Sequence, residues 1–332
     1  MAVLVTGGAG YIGSHMVLAL LDAGEHVVVV DDLSTGFSKA VDKRAKLYVN
    51  DFSDINILLN LHNKYNFDAV LHFAGSVVVP ESVQNPLKYF SNNTCKSLAL
   101  LKFIVESSIP HVVFSSTAAV YGTPQSGELV SEESRLAPES PYGLSKLMTE
   151  QMLRDASSAH NFCYAALRYF NVAGADPLRR AGQSTDGATH LIKVACEVAT
   201  GKRDSIWIYG TDYPTPDGTC IRDFIHVSDL VSAHVCALSY LRKAKRSIIA
   251  NLGYGRGHSV RDVLAAVERV SGCVLRVIPT ERRPGDAVKV VANATLARDV
   301  LEWAPMHDDL NKIVESALAW EGGSNFRVPY TP

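Results

Sequence analysis

The chain opens with a short β-branched run, Val3–Val5, that leads at once into Thr6-Gly7-Gly8-Ala9-Gly10-Tyr11-Ile12-Gly13. A strand that becomes a helix through a glycine loop narrows the possible folds more than any other stretch. Gly7, Gly10 and Gly13 remove the Cβ atoms that would hold a ligand away from the backbone. The helix that starts there offers unpaired N–H groups and a positive dipole end, a good setting for a pyrophosphate. The spacing is Gly-x-x-Gly-x-x-Gly rather than Gly-x-Gly-x-x-Gly. The second apolar run, Val27–Val30, ends at Asp31. A carboxylate at that offset accepts bonds from an adenosine 2′-hydroxyl and repels a 2′-phosphate, which favours NAD over NADP. Asp32, the next residue, reads as a turn former.

The first half continues to alternate. Ala69–Phe73, Val112–Ser115 and Tyr164–Arg168 read as buried parallel strands, because their apolar runs are continuous rather than alternating. Gly13–Ala23, Ile55–Tyr65, Pro86–Glu106 and Tyr142–Ala159 read as helices, with Gly24 suited to a helix end and Pro86 and Pro141 to helix starts. Strands alternating with helices predict an α/β fold of the Rossmann type, a doubly wound parallel sheet. After about Asn171 the texture changes. Gly174–Gly187 and Tyr209–Thr219 read as loops, and Leu191–Thr200, Val227–Leu241 and Val260–Val270 as helices. Ile206–Ile208, Ile248–Leu252 and Val274–Ile278 read as short strands. The expected organisation is a dinucleotide-binding domain over 1–170 plus about 222–253, and a smaller mixed α/β substrate-binding domain from 171–221 and 254–332. The residues after Gly322 read as surface coil.

A second constellation lies further along. Ser115-Ser116-Thr117 ends a strand, and Tyr142 and Lys146 are one helical turn apart, on one face of the following helix. A phenol has an ordinary pKa of about 10, so bringing it near neutrality takes about 4 kcal/mol at about 1.36 kcal/mol per pH unit. A lysine ammonium and a cationic nicotinamide ring supply a suitable field. Thr117 is placed to bond the same substrate oxygen. Phe73-Ala74-Gly75 closes the fourth strand, where small residues let a cofactor lie close, and Asp51 follows the strand-like Leu47–Val49 as a loop carboxylate.

Bulk properties exclude several partners. The 332 residues hold 32 Lys and Arg against 34 Asp and Glu, a net charge of −2, so neither a nucleic acid nor an anionic membrane is implied. No apolar run is long enough to span a bilayer. The start lacks the basic residues and cleavage site of an export signal, so the cytoplasm is the expected compartment. Cys95, Cys163, Cys196, Cys220, Cys236 and Cys273 are scattered, without metal-ligand spacing, and read as mostly buried reduced thiols.

The order glycine loop, Asp31, Ser-Ser-Thr, Tyr-x-x-x-Lys resembles the extended short-chain dehydrogenase/reductase superfamily. Finer motifs resemble the UDP-glucose 4-epimerase family: Val5–His15, His72-Phe73-Ala74-Gly75, Tyr169-Phe170-Asn171 and Asp217–Val227. The resemblance runs from the first residue to about Trp303. It implies an isomerase that inverts a UDP-sugar at C4 through a 4-keto intermediate, with tightly bound NAD and Thr117, Tyr142 and Lys146 as catalytic residues. It implies cofactor contacts from Gly7, Gly10, Tyr11, Ile12, Gly13, Asp31, Asp32, Asp51, Phe52, Phe73, Ala74, Gly75, Asn93, Tyr142, Lys146 and Tyr169. For the substrate it implies Thr117, Tyr142, Asn171, His190, Tyr209, Arg222, Arg283, Asp286 and Val290, with the two arginines on the diphosphate and Tyr209 against uracil. It also implies a homodimer through Pro86–Glu106 and Tyr142–Ala159. Val77 stands where many members carry a lysine, Thr117 where serine is usual, and His190 where many have asparagine. Val290 stands where a tyrosine closes the sugar pocket in some members, so N-acetylated sugars are a candidate alternative, as is a UDP-pentose. Ala118 and Ala119 replace the Asp-Glu pair of related dehydratases, which argues against elimination. A nucleotide-sensing regulator without catalysis is the alternative from another class.

Overall fold

The computed structural model of the protein describes residues 1–124, 129–185, 187–283 and 286–323. The alternating first half forms β1 (Ala2–Thr6), α1 (Tyr11–Asp22), β2 (Val27–Asp31), β3 (Lys46–Val49), α2 (Ile55–Tyr65), β4 (Phe67–His72), α3 (Val79–Gln84), α4 (Pro86–Tyr89), α5 (Lys96–Glu106), β5 (His111–Ser115), α6 (Pro141–Ala159) and β6 (Cys163–Tyr169). The second half adds β7 (Asn171–Ala173), α7 (Leu191–Ala199), β8 (Ile206–Tyr209), β9 (Ile221–His226), α8 (Val227–Ala244), β10 (Ile248–Leu252), β11 (Gly257–Ser259), α9 (Val260–Ser271), β12 (Val277–Thr280), β13 (Lys289–Val290), α10 (Thr295–Val300) and α11 (Leu310–Glu321).

Seven strands form one parallel sheet in the order β10-β6-β5-β4-β1-β2-β3. β1 and β2 are fully buried because both faces of the sheet are covered there, whereas the edge strand β3 leaves Lys46 and Val49 exposed. Alternate residues point to opposite faces, so Val27 and Val29 join Met16, Val17 and Leu20 of α1 and Leu230 of α8. Val28 and Val30 join Leu58 of α2 and Leu100 and Phe103 of α5 on the other side. Each such valine, removed from water completely, contributes roughly 1.5–3 kcal/mol. The strand order reverses between β1 and β4, which opens a crevice at their carboxyl ends. A smaller sheet carries β9 at its centre, with β11 antiparallel on one side and β13 and β7 parallel to it; β8 and β12 form a separate pair.

The helix boundaries follow local chemistry. Gly24 at φ +81° follows the end of α1, Ser140 caps α6 through the Gly143 N–H with Pro141 in the first turn, and Ser259 and Asp262 form a capping box on α9. Three expectations need correction. The stretch 86–106 is not one regular α-helix: Phe90–Cys95 is a π-helical segment between α4 and α5, and it turns Asn93 inward. The strand expected at Val274–Ile278 begins three residues later, because pairing with β8 sets it, and Val274 faces solvent at 93 % exposure. Of the six free cysteines only Cys196 and Cys220 are buried, while Cys95 and Cys273 are exposed. The coil expected after Gly322 lies almost wholly outside the described residues.

Candidate active site

The glycine loop sits where β1 ends. Gly7 holds φ +73°, and a Cβ there would stand 2.5 Å from the Ala74 nitrogen and 2.9 Å from the Phe73 carbonyl carbon. A Cβ on Gly13 would stand 2.0 Å from the Gly7 oxygen. The loop and the end of β4 therefore touch backbone to backbone, which only glycine permits. No side chain caps the first turn of α1, whose N-cap is Gly10. Tyr11 and Ile12 begin that helix; the Tyr11 phenol donates to the Gly174 carbonyl at 2.6 Å, and Ile12 packs on the core. What these two residues present at the loop is backbone.

Asp31 ends β2 and accepts bonds from the Ala9 N–H at 2.8 Å and the Leu33 N–H at 2.9 Å. Burial pushes its carboxyl up and those two bonds pull it down. Asp32 is exposed and bonds the Ser34 N–H and hydroxyl, the turn role expected of it. Asp51 bonds Ser53 and pairs with Lys96 at 2.7 Å, and Lys96 also lies over the Phe52 ring. Phe52 is buried against His72.

The catalytic candidates converge at the ends of β5 and β6. Lys146 is 3 % exposed, and its Nζ donates to the Ser115 carbonyl at 3.0 Å. Its pKa falls to about 8 because burial disfavours the ammonium, against the pull of Glu150. A Cβ on Gly75 would lie 3.8 Å from that Nζ, so the β4 end links the glycine loop to the lysine. Tyr142 is buried, with its ring edge-on to Tyr89. Burial raises its phenol pKa and a hydrogen bond with Thr117 lowers it. Burial among the protein groups thus holds the phenol above its ordinary value. The Thr117 hydroxyl accepts the Ala119 N–H, and the Tyr169 and Ser115 hydroxyls share a bond of 2.6 Å. Both amide hydrogens of Asn93 are used. Its oxygen accepts the Ser76 N–H, and its amide donates to the Ser76 carbonyl and the Ser145 hydroxyl, so it braces the Gly75 loop against α6.

The substrate candidates gather around β9. Arg222 donates to Asp286 at 3.1 Å and lies opposite Val290 in the sheet register. Val290 also packs on the cluster of Val120, Phe170 and Ala292, as Ala118 does, so the two halves meet there. Asn171 begins β7 at an exposed position, and it shares a small cavity with His190, whose Nδ1 is bonded to the Gln183 amide. Arg283 lies 3.6 Å over the Tyr209 ring. The aromatic face expected to meet uracil is therefore covered by an arginine expected on the diphosphate. Val77, the position where a lysine was expected, is half exposed.

Sequence reading missed several buried polar residues. Asp223 sits inside β9 and accepts the Tyr254, Gly255 and Ala292 N–H groups, while burial pushes it up to about 6. Glu150, Arg168 and Ser116 form a buried cluster behind Thr117. His72, bonded to Thr6 and Ser97, is held neutral by burial at about 3. The signal present was the Glu150 spacing, one turn past Lys146 on the same helical face. Among the described residues no group of His, Cys, Asp and Glu is set to hold a metal.

The chain is similar to known proteins over nearly its whole length. A model of the NAD dependent epimerase/dehydratase family matches residues 3–253. A UDP-glucose 4-epimerase of Azospirillum brasilense is 55% identical, over 96% of this chain and 91% of that protein. A solved UDP-glucose 4-epimerase from Brucella ovis, in complex with NAD, is 41% identical with a TM-score of 0.94, covering 98% of this chain and 99% of that one. The UDP-Glc/GlcNAc 4-epimerase of Campylobacter jejuni is 47% identical with a TM-score of 0.84, covering 96% and 98%. On the family match and on relatives this similar, the chain belongs to the NAD dependent epimerase/dehydratase family.

Proposed function

We propose that the chain is a UDP-glucose/UDP-galactose 4-epimerase, inverting the sugar reversibly at C4 with NAD held through turnover. The observation that carries this reading is the unbroken row Gly7, Phe73–Ala74, Gly75, Lys146 and Tyr142 with Thr117, which sets a nucleotide loop beside a phenol. The uncapped start of α1, the bare glycine cradle and the carboxylate of Asp31 suit a dinucleotide with a free ribose hydroxyl. Gly7, residues 10–13, 31–32, 51–52, 73–75, Asn93, Tyr142, Lys146 and Tyr169 would hold NAD, with Asn93 also bracing the Gly75 loop. When bound, NAD supplies the hydride acceptor and donor.

Tyr142 takes the proton of the sugar 4′-hydroxyl and later returns it, while Thr117 bonds the same oxygen. Lys146 keeps a positive charge near the phenol. Arg222 and Arg283 grip the diphosphate, after Arg222 leaves Asp286 and Arg283 leaves Tyr209. Asn171, His190, Asp286 and Val290 border the UDP-sugar. The 4-keto sugar is an intermediate, so no net oxidation occurs. In this reading residues 1–170 plus about 222–253 serve the cofactor, and 171–221 with 254–332 serve the sugar.

We infer that the chain works as a homodimer through α5 and α6. Leu98 and Met148 on those helices are 44% and 38% exposed, with Val83 and Leu87 nearby in the chain. Six free thiols suit a reducing cytoplasm, and no described helix is long and apolar enough to cross a membrane.

The test is turnover of UDP-galactose to UDP-glucose without added NAD, together with Tyr142→Phe. Removing the proton acceptor should lower kcat by roughly 10²–10⁴ while UDP still binds. Wild-type protein that holds NAD and UDP but leaves UDP-galactose unchanged would refute the reading.

A further inference from the structure

Glu150 lies on α6 one turn past Lys146 and two past Tyr142, on the same face. It and Arg168 of β6 have side chains only 3% exposed. The carboxylate accepts the Arg168 Nε–H at 3.0 Å, the Nη2–H at 2.6 Å and the Ser116 hydroxyl. The remaining arm of Arg168 donates to the Tyr121 phenol at 2.9 Å. Tyr121 in turn donates to Asn251, whose amide donates to the Val130 carbonyl. Ser116 and Tyr121 are the two ends of the turn that holds Thr117, and within it the Tyr121 N–H bonds the Ala118 carbonyl. One end of the turn is thus bonded to the anion, and the other to the cation, of a single buried pair.

We propose that Glu150 and Arg168 are positioning residues: their ion pair clamps the Ser116–Tyr121 turn to α6 and so fixes the Thr117 hydroxyl against Tyr142 and Lys146. The proposal rests on the epimerase reading above. A buried pair of this kind adds little to stability compared with apolar residues of the same volume, because desolvation offsets the attraction. Its two side-chain partners, Ser116 and Tyr121, are the ends of the turn, while the pair itself joins the helix to the strand behind the site, so geometry is what it secures.

The pair also sets the charge near the lysine. Glu150 is the carboxylate that favours the Lys146 ammonium, and Arg168 neutralises it from behind. The other ionisable groups around Lys146 are His72 on β4, Tyr142 on α6 itself, Tyr169 on β6, and Tyr89 on α4 with its partner Glu81 on α3. Losing the Glu150 charge therefore makes Lys146 release its proton at lower pH.

Three variants test this in the NAD-loaded enzyme: Ser116→Ala, Glu150→Gln, and the apolar double exchange Glu150→Leu with Arg168→Met. Small displacements at a reacting site cost up to about 100-fold in rate. The double variant should unfold cooperatively and retain NAD, yet lose about tenfold or more in kcat, with KM for UDP-galactose within about twofold. Ser116→Ala should show a smaller kcat loss of the same kind. In Glu150→Gln the alkaline limb of kcat should move to lower pH, and in Ser116→Ala it should stay in place. If Glu150→Gln does not fold, the other two variants decide the clamp. A folded double variant with wild-type kcat would overturn the proposal, as would losses that appear only in KM. An inactive wild type would instead refute the epimerase reading.

Discussion

Gly7 and Gly24 both hold positive φ, at +73° and +81°, but their surroundings differ. A Cβ on Gly24 meets nothing within 4 Å. A Cβ on Gly7 would lie 2.5 Å from the Ala74 nitrogen, 2.7 Å from its Cα and 2.9 Å from the Phe73 carbonyl carbon. Alanine at either position costs about 1–2 kcal/mol for the left-handed backbone alone. At Gly7 the loop must also retreat by roughly 1 Å to reach ordinary contact distance. That retreat moves the start of α1 away from the end of β4, the two walls proposed to hold the pyrophosphate. A displacement of that size costs up to about 100-fold, or roughly 2.7 kcal/mol, in interactions that depend on alignment. Gly7→Ala should therefore be purified with little NAD, and Gly24→Ala with a full complement, although both lose a few degrees in Tm. The nucleotide released on denaturation measures the first quantity and thermal unfolding the second. Gly7→Ala protein that retains stoichiometric NAD would refute the backbone-contact argument.

Three other outcomes are expected. The fall in the Lys146 pKa from 10.5 to about 8 corresponds to a burial penalty of roughly 3 kcal/mol at about 1.36 kcal/mol per pH unit. Below pH 8 the penalty is full, and it fades as the pH approaches 10.5, so Lys146→Met should raise the urea midpoint of cofactor-free protein at pH 7, less so at pH 10, while abolishing turnover; a lower midpoint at pH 7 would contradict this. Arg283→Ala should weaken UDP binding by about 1.5–3 kcal/mol in calorimetry and leave NAD content unchanged, because the guanidinium lies on Tyr209 and far along the chain from the glycine loop. Val290→Tyr should abolish any turnover of UDP-N-acetylgalactosamine and spare that of UDP-galactose, as Val290 packs on the cluster of Val120, Phe170 and Ala292 where the two halves meet.

The larger sheet was legible because its inner strands, such as β1 and β2, are buried on both faces and read as unbroken apolar runs. The smaller sheet was not. β9 carries Arg222 and Asp223 in its middle, and the sequence offers no sign that three backbone N–H groups converge on the aspartate. β13 is two residues long and exists only because β9 lies beside it. The β12 strand shifted from its apolar run for the same reason: its partner set the register. In the site, Gly7, Tyr142 and Lys146 stood out because their spacing is local. Glu150 and Arg168 are 18 positions apart and read as ordinary charged residues until tertiary packing joins them. Asn93 was placed at the cofactor from resemblance; that the π-helical turn also sets its amide on Ser76 and Ser145 is visible only in the fold.

The bond from the Ala9 N–H to Asp31 bears on redesign of this chain toward a phosphorylated cofactor. Exchanging Asp31 for a small or cationic residue is the obvious way to admit a 2′-phosphate, but the same carboxylate staples the loop to β2. A variant that changes selectivity at this position alone would take the acceptor from both the Ala9 and Leu33 amides and leave the loop untied. A successful conversion needs two alterations made together, one that welcomes the phosphate and one that gives Ala9 a new acceptor.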